Sequence, residues 1–128
     1  MTAPIVVNLP YPPSANRLWR FVKGLNSPLK SREYRDWCVA ADKAIPIEAR
    51  GMVRGRHRVD ISVDRPDRRA RDLDNITKPT LDALKDGKTL KGVIRDDSDT
   101  QSITIRWSSD EPVKDPRVTV CVFPEQAE

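Results

Sequence analysis

One histidine, two cysteines and two methionines are all that this chain of 128 residues offers to soft and borderline metals. His57 alone excludes zinc sites built on paired histidines, and no serine or cysteine motif accompanies it to make a hydrolytic triad. It reads as a surface or strand-end residue. Cys38 and Cys121 lie far apart and read as free thiols in a reducing compartment. No apolar stretch near the amino terminus is long enough for a signal peptide or a membrane span, so no membrane partner is expected. Glycine is missing where two familiar loops need it. Gly87-Lys88-Thr89 has Asp82 in the place of the upstream glycine of a phosphate loop, and the acidic run Asp96 to Asp99 lacks the glycine and terminal glutamate of an EF-hand. Internal repeats, low-complexity tracts and long linkers are absent as well.

What the chain does have is charge, unevenly placed. The net charge of +4 and pI near 9.3 would mean little if spread evenly, but arginines concentrate between Arg50 and Arg71. Arg65, Arg68, Arg69 and Arg71 crowd the approach to Asp72-Leu73-Asp74-Asn75, and Asp96-Asp97-Ser98-Asp99 follows further on. Carboxylates repel one another, so a cluster of them in a basic protein calls for a cation, and hard oxygen donors favour Mg²⁺ or Mn²⁺. Arginines at that density attract a polyanion. Acids for a metal and bases for phosphates together point to nucleic acid.

The length suits one compact domain, residues 1–128, which buries roughly two thirds of its unfolded surface without disulfides. Ile5 to Leu9 reads as a strand ended by Pro10-Tyr11-Pro12-Pro13, followed by an ordered loop. Ser31 caps a helix from about Arg32 to Ile45, whose apolar stripe is Tyr34, Trp37, Cys38, Ala41 and Ile45, and Pro46 stops it. From His57 to Arg65 apolar Val59, Ile61 and Val63 alternate with polar residues, the pattern of a strand. A second helix opens near Asp74 and stops before Asp86-Gly87. Asp74, Asn75, Lys78, Asp82 and Lys85 share its polar arc, while Ile76, Thr77, Thr80, Ala83 and Leu84 face the core. Pro79 removes one backbone donor inside it. Ile103, Ile105 and Trp107 predict another strand. Val118, Val120 and Val122, interleaved with Thr119, Cys121 and Phe123, predict one covered on both sides, with a hairpin loop at Ser108 to Pro116. The order predicts an α+β domain with a mixed sheet of about four strands and two main helices.

Asp72 and Asp74 are two apart, so in an extended segment their side chains point the same way toward one cation, and Asp74 can also cap the helix. A third carboxylate from a distant loop would help to complete the shell of a hydrated Mg²⁺. Asp97 is the best candidate, with Asp96 and Asp99 as alternatives. The ordinary alternative is that these acids only cap a helix and pair with surface arginines.

Taken together, these segments resemble the RusA family of Holliday-junction-resolving endonucleases. Leu9-Pro10-Tyr11-Pro12-Pro13-Ser14-Ala15-Asn16-Arg17 is similar to the family's amino-terminal signature. Arg65-Pro66-Asp67-Arg68-Arg69-Ala70-Arg71-Asp72-Leu73-Asp74-Asn75 resembles its central block, which Lys78, Asp82-Ala83-Leu84 and Asp96-Asp97-Ser98 continue in order. Asp99 stands where the family more often has glutamine, and the spacer from Lys85 to Arg95 is longer. The resemblance implies that Asp72, Asp74 and Asp97 hold catalytic Mg²⁺, with Mn²⁺ as substitute, that Lys78 assists, and that Arg71 and Asn75 lie close by. It implies a homodimer cutting four-way junction DNA at paired positions, in recombination and repair and in a phage or prophage setting. The expected location is the cytoplasm, on the nucleoid when DNA-bound.

Arg68, Arg69 and Arg71 are the expected phosphate contacts. Asn16 and Arg17 are candidate contacts to DNA or to a partner subunit, with a polar turn as the alternative. Tyr11, Trp19 and Phe21 could stack on opened bases, but packing in a dimer or core is the commoner fate of such aromatics and is the reading preferred here. Two other functions compete: a branched-DNA-binding protein without catalysis, and a metal-dependent hydrolase of small phosphate esters. The arginine block argues against the second, because a small substrate needs few cations.

Overall fold

The computed structural model describes residues 3–125. Among these residues the chain runs β1 (Ile5–Pro10), β2 (Trp19–Arg20), β3 (Leu29–Lys30), α1 (Arg32–Ala44), β4 (His57–Val63), α2 (Asp74–Leu84), β5 (Thr100–Trp107) and β6 (Arg117–Pro124), with 3-10 turns at Ala15–Arg17, Ile47–Ala49 and Asp97–Asp99. The main sheet has the order β1-β6-β4-β5, with β4 and β5 parallel and the other pairs antiparallel. This is the expected α+β domain with a mixed four-stranded sheet.

Alternation in β4 decides the core. Val59, Ile61 and Val63 are fully buried, and the register places them beside Val122, Val120 and Val118 on one side and Ile103, Ile105 and Trp107 on the other. Both helices close over this face: Tyr34, Trp37, Ala41 and Ile45 of α1 and its cap join Ile76, Leu81 and Leu84 of α2 in the same cluster. Each such large apolar side chain contributes about 1.5–3 kcal/mol by burial. Cys38, expected in the stripe, is only partly buried.

Four expectations are corrected. The Ser108 to Pro116 segment is no hairpin loop, because β4 lies between β5 and β6 and the segment must cross the end of the sheet. β6 is not covered on both sides: Thr119, Cys121 and Phe123 sit on the face away from the helices, where the Arg58 guanidinium lies 4.1 Å from the Phe123 ring centroid. Its long apolar run reflects a central place in the sheet. His57 is a strand-end residue but not a surface one. It is fully buried, with ring nitrogens 2.9 Å from the Gly55 carbonyl and 2.7 Å from Thr100 Oγ1. The loop after β1 carries a small hairpin, β2–β3, that short irregular apolar spacing did not announce.

Local bonds explain how the amino-terminal segment is held. Ser31 Oγ accepts from the Tyr34 amide at 3.0 Å, capping α1, and donates to the Arg17 carbonyl. Trp37 Nε1 donates to the Pro10 carbonyl at 2.9 Å. The proline segment from Pro10 onward is thereby tied to α1 at both ends. The crossover from β4 to parallel β5 is made by α2, as a parallel pair requires. Pro79 lies buried within α2, which continues past it, and the Thr80 hydroxyl donates back to the Ile76 carbonyl at 2.7 Å.

The spacer after α2 closes at its base. Ile94 N–H donates to the Leu84 carbonyl at 3.1 Å and Asp86 N–H to the Ile94 carbonyl at 3.0 Å. Arg54 forks onto Asp86 with bonds of 2.7 and 3.1 Å, which holds the Asp86 carboxyl below its ordinary pKa. Gly92 is packed so closely that a Cβ there would lie 2.1 Å from the Leu84 carbonyl oxygen. The length of the spacer is thus absorbed in a closed loop, and Asp97 is presented from its rigid base.

Candidate active site and nucleic-acid face

The site begins where α2 begins. Asp72 Oδ1 accepts from the Asp74 amide at 3.0 Å and the Asp72 carbonyl from the Asn75 amide at 3.2 Å, so Asp72 rather than Asp74 serves as the capping side chain. Leu73 is already in the right-handed helical region, at φ −62° and ψ −28°. The pair Asp72 and Asp74 therefore straddles a helix start and not an extended run, which corrects the geometric premise drawn from their spacing. Both carboxylates are exposed. Among the described residues, Asp74 takes no side-chain hydrogen bond or ion pair, and Asp72 keeps one oxygen free. The positive end of α2 favours negative charge at both positions.

One turn further, about 6 Å of rise, comes Lys78. Its ammonium lies 3.1 Å from Asp82 and 3.8 Å from Asp97 Oδ2. Lys85 joins Asp82 at 3.3 Å, which together with the nearby Asp97 and Asp96 raises its pKa. The structure brings Lys78 and Asp97 together and sets them one turn away from Asp74. Among the described residues no group of three or more His, Cys, Asp or Glu is close enough to hold an ion as the side chains stand. The donors themselves fit a hydrated dication: they are hard carboxylate oxygens, at least partly exposed, two at the start of α2 and one on the turn before β5.

The three acids of the second block differ in what they do. Asp99 is forked by Arg95 at 2.8 and 3.0 Å and is less exposed than Asp97, 16% against 31%. Asp96 accepts from the Ser98 hydroxyl at 2.5 Å and its amide at 3.2 Å, which lowers its pKa and caps the 3-10 turn. Among the described residues, Asp97 has only the long contact to Lys78.

The arginine block is more internally paired than its sequence implies. Arg71 forks onto Asp67 at 2.5 and 3.0 Å, and this bond, with help from the Arg69 amide, lowers the Asp67 pKa to about 2. Arg68 bonds Glu111 at 2.6 Å, and Arg65 lies 4.4 Å from the Trp107 ring centroid. Arg69 is the loosest, 81% exposed and 3.5 Å from Asp67. These pairings fix the loop while leaving exposed guanidinium edges along it.

The amino-terminal and central blocks meet. A cleft of about 300 Å³ is lined by Tyr11, Pro13, Ser14 and Asn16 on one side and by Arg71, Asp72 and Asn75 on the other. A neighbouring cleft of about 360 Å³ shares Tyr11 to Ser14 and Arg71 and adds Arg17, Glu33 and Arg69. Arg17 pairs with Glu33 at 3.6 Å. Burial pushes the Tyr11 phenol above its ordinary pKa despite the pull of Arg71. Asn16 thus lines the same cleft as Asp72 and Asn75 although the chain separates it widely from them, and Arg17 lines the neighbouring cleft. Sequence reasoning passed over Asp82, Lys85 and Tyr11 as site residues. The first two were legible from their four- and seven-residue spacing after Lys78, whereas the place of Tyr11 depends on the fold.

The family model for endodeoxyribonuclease RusA matches residues 10–122, which include every block of this site. The chain belongs to the RusA family. Curated relatives agree: the crossover junction endodeoxyribonuclease rusA of Enterobacteria phage HK97 is 37% identical over 78 residues, 59% of this chain and 62% of the relative. That of Enterobacteria phage 82 and the RusA of Escherichia coli strain K12 are each 34% identical over 79 residues, 61% of this chain and 64% of the relative. The matched stretch spans less than two thirds of these RusA proteins. No helix among the described residues is long and apolar enough to cross a membrane.

Proposed function

We propose that this RusA-family chain is a divalent-metal-dependent endodeoxyribonuclease that resolves four-way DNA junctions by paired symmetric nicks. The observation that carries this reading is the polar start of α2, where Asp72 and Asp74 stand one turn before Lys78 and the spacer brings Asp97 to within 3.8 Å of Lys78, with Arg71 and Asn16 lining the cleft beside Asp72. Membership in a nuclease family suggests a divalent ion. Mg²⁺ is proposed, with Mn²⁺ as substitute, held by Asp72, Asp74 and Asp97. When bound, the ion supplies an activated water and charge stabilisation for phosphodiester hydrolysis.

The chain's own residues position the substrate. Arg69, Arg71 and Arg68 present charge to the backbone phosphates, while Asn16 and Asn75 line the cleft next to Asp72 and Arg17 lines the neighbouring one. Lys78 places a fixed positive charge near the reacting phosphate. A phosphate that engages Lys78 competes with Asp97 for the ammonium, freeing that carboxylate for the metal as substrate arrives. A branched junction has approximate two-fold symmetry and needs two cuts, so a closed homodimer is proposed to supply two sites. A phage or prophage setting and action on nucleoid DNA in the cytoplasm complete the reading.

The test is a cleavage assay with and without Mg²⁺ on a four-way junction, a duplex of the same length and a nucleotide. Mg²⁺-dependent cutting of the junction alone supports the reading. Binding without cutting would leave a branched-DNA-binding protein, and preference for the nucleotide a small-ester hydrolase.

A further inference from the structure

The β2–β3 hairpin is the part of the molecule that the proposed site does not use. Its root is fixed: Ser31 N–H donates to the Leu18 carbonyl at 2.8 Å, Trp19 packs edge-on to Tyr34 at 5.6 Å, and the Lys30 ammonium lies 5.2 Å from the same ring. Its tip is not packed. Phe21 is 85% exposed, with Val22 and Leu25 beside it in the tight turn closed by the Leu25 to Val22 bond of 3.1 Å. Packing in the core, one half of the dimer-or-core reading preferred from sequence, is therefore excluded for Phe21. With Val22 and Leu25 the ring forms an exposed apolar patch, and that exposure points to an occupant.

Charge selects the occupant. From Arg17 to Arg32 the chain carries Arg17, Arg20, Lys23, Lys30 and Arg32 and no acidic residue. An isologous contact through this tip would bring the same cations face to face, which disfavours a second copy. Cations interleaved with an exposed aromatic ring are instead the pattern of proteins that follow a nucleic-acid backbone and stack on its bases. An intact duplex keeps its base faces covered. We infer that the hairpin is a branch-recognition element, with Phe21 stacking on a base unpaired at the junction centre and Arg20 and Lys23 on the flanking phosphates. This rests on the junction-DNA reading above and deepens it. The position fits, because the hairpin leaves the Asn16–Arg17 turn at the cleft edge and returns through Lys30, which lines a groove of about 290 Å³ with Asp82 and Lys85.

The test uses the full chain without Mg²⁺, a four-way junction carrying 2-aminopurine at the branch, and a matched duplex. Phe21→Ala is expected to weaken junction binding about 5- to 150-fold while leaving duplex affinity unchanged. The 2-aminopurine fluorescence change seen with the wild-type protein should disappear. Phe21→Trp should keep both, and Arg20→Ala with Lys23→Ala should lower the salt dependence of junction binding. Wild-type affinity and an unaltered fluorescence response in Phe21→Ala would overturn the hairpin assignment and leave the nuclease reading standing. A wild-type protein that binds no junction would sink both. A dimer that sediments as a monomer after Phe21→Ala would make the tip an interface between copies and overturn the DNA assignment.

Discussion

Lys78 Nζ stands 3.8 Å from Asp97 Oδ2 and 3.1 Å from Asp82 Oδ1, one ammonium shared between its own helix and the far end of the spacer. A cation so placed costs little to redirect toward a phosphate, since both partners are partly solvated. Lys78→Ala is expected to lower single-turnover cleavage by about 10²- to 10³-fold with a much smaller change in junction affinity. Equal losses in binding and cleavage would make Lys78 an ordinary phosphate contact.

Asp74→Asn and Asp72→Asn should abolish cleavage while junction binding persists or tightens, because removing negative charge beside DNA cannot weaken phosphate attraction. Calorimetric titration of Mn²⁺ without DNA should show weaker binding in both. Full activity of Asp74→Asn would remove the metal assignment.

Asp97 and Asp99 separate cleanly. Asp99 is spent on Arg95, so Asp99→Asn should cost under about 1 kcal/mol of stability and leave cleavage near wild type, whereas Asp97→Asn should eliminate it. The reverse result would transfer the metal role to Asp99.

The Asp67 carboxyl, held at about pKa 2 by its bond to Arg71, sets a pH window for the arginine loop. A carboxyl depressed below its ordinary 3.8 contributes fully above that value and loses its contribution as pH falls through about 2. Carbon NMR should show Asp67 titrating near pH 2, with the Arg69 and Arg71 amide signals moving in step. Titration near its ordinary pKa would show that the Arg71 fork does not form in solution.

Gly92→Ala should destabilise the fold by about 1–3 kcal/mol or more, since the new Cβ must displace backbone and not a flexible side chain. Urea unfolding would read this as a lower midpoint with unchanged slope. A neutral result would mean that the base of the spacer is looser than its hydrogen bonds indicate.

Strong periodicity made much of the fold legible. The buried triple Val59, Ile61 and Val63 and the stripe through Tyr34, Trp37 and Ala41 are each a local pattern that burial only ratifies. The sheet order was not legible, because β6 inserting between β1 and β4 is a long-range choice that no spacing records. At the site, residue types and order pointed to Asp72, Asp74, Lys78 and Asp97. The geometry of Asp72 and Asp74 was hidden by one residue, Leu73, whose helical dihedrals turned an apparent extended pair into a helix start. The pairing of Arg71 with Asp67 and of Arg68 with Glu111 was likewise hidden, since a run of arginines reads as free charge until its partners are placed.

The closed base of the spacer has an evolutionary reading. Between the Leu84–Ile94 and Asp86–Ile94 bonds and the exposed Lys88–Thr89 tip, chain can be added or removed without changing the phase between α2 and β5. The tip is therefore a natural port for grafting a peptide tag or a fluorophore, and a place where related chains are free to drift in length while the spatial register of Lys78 and Asp97 is kept.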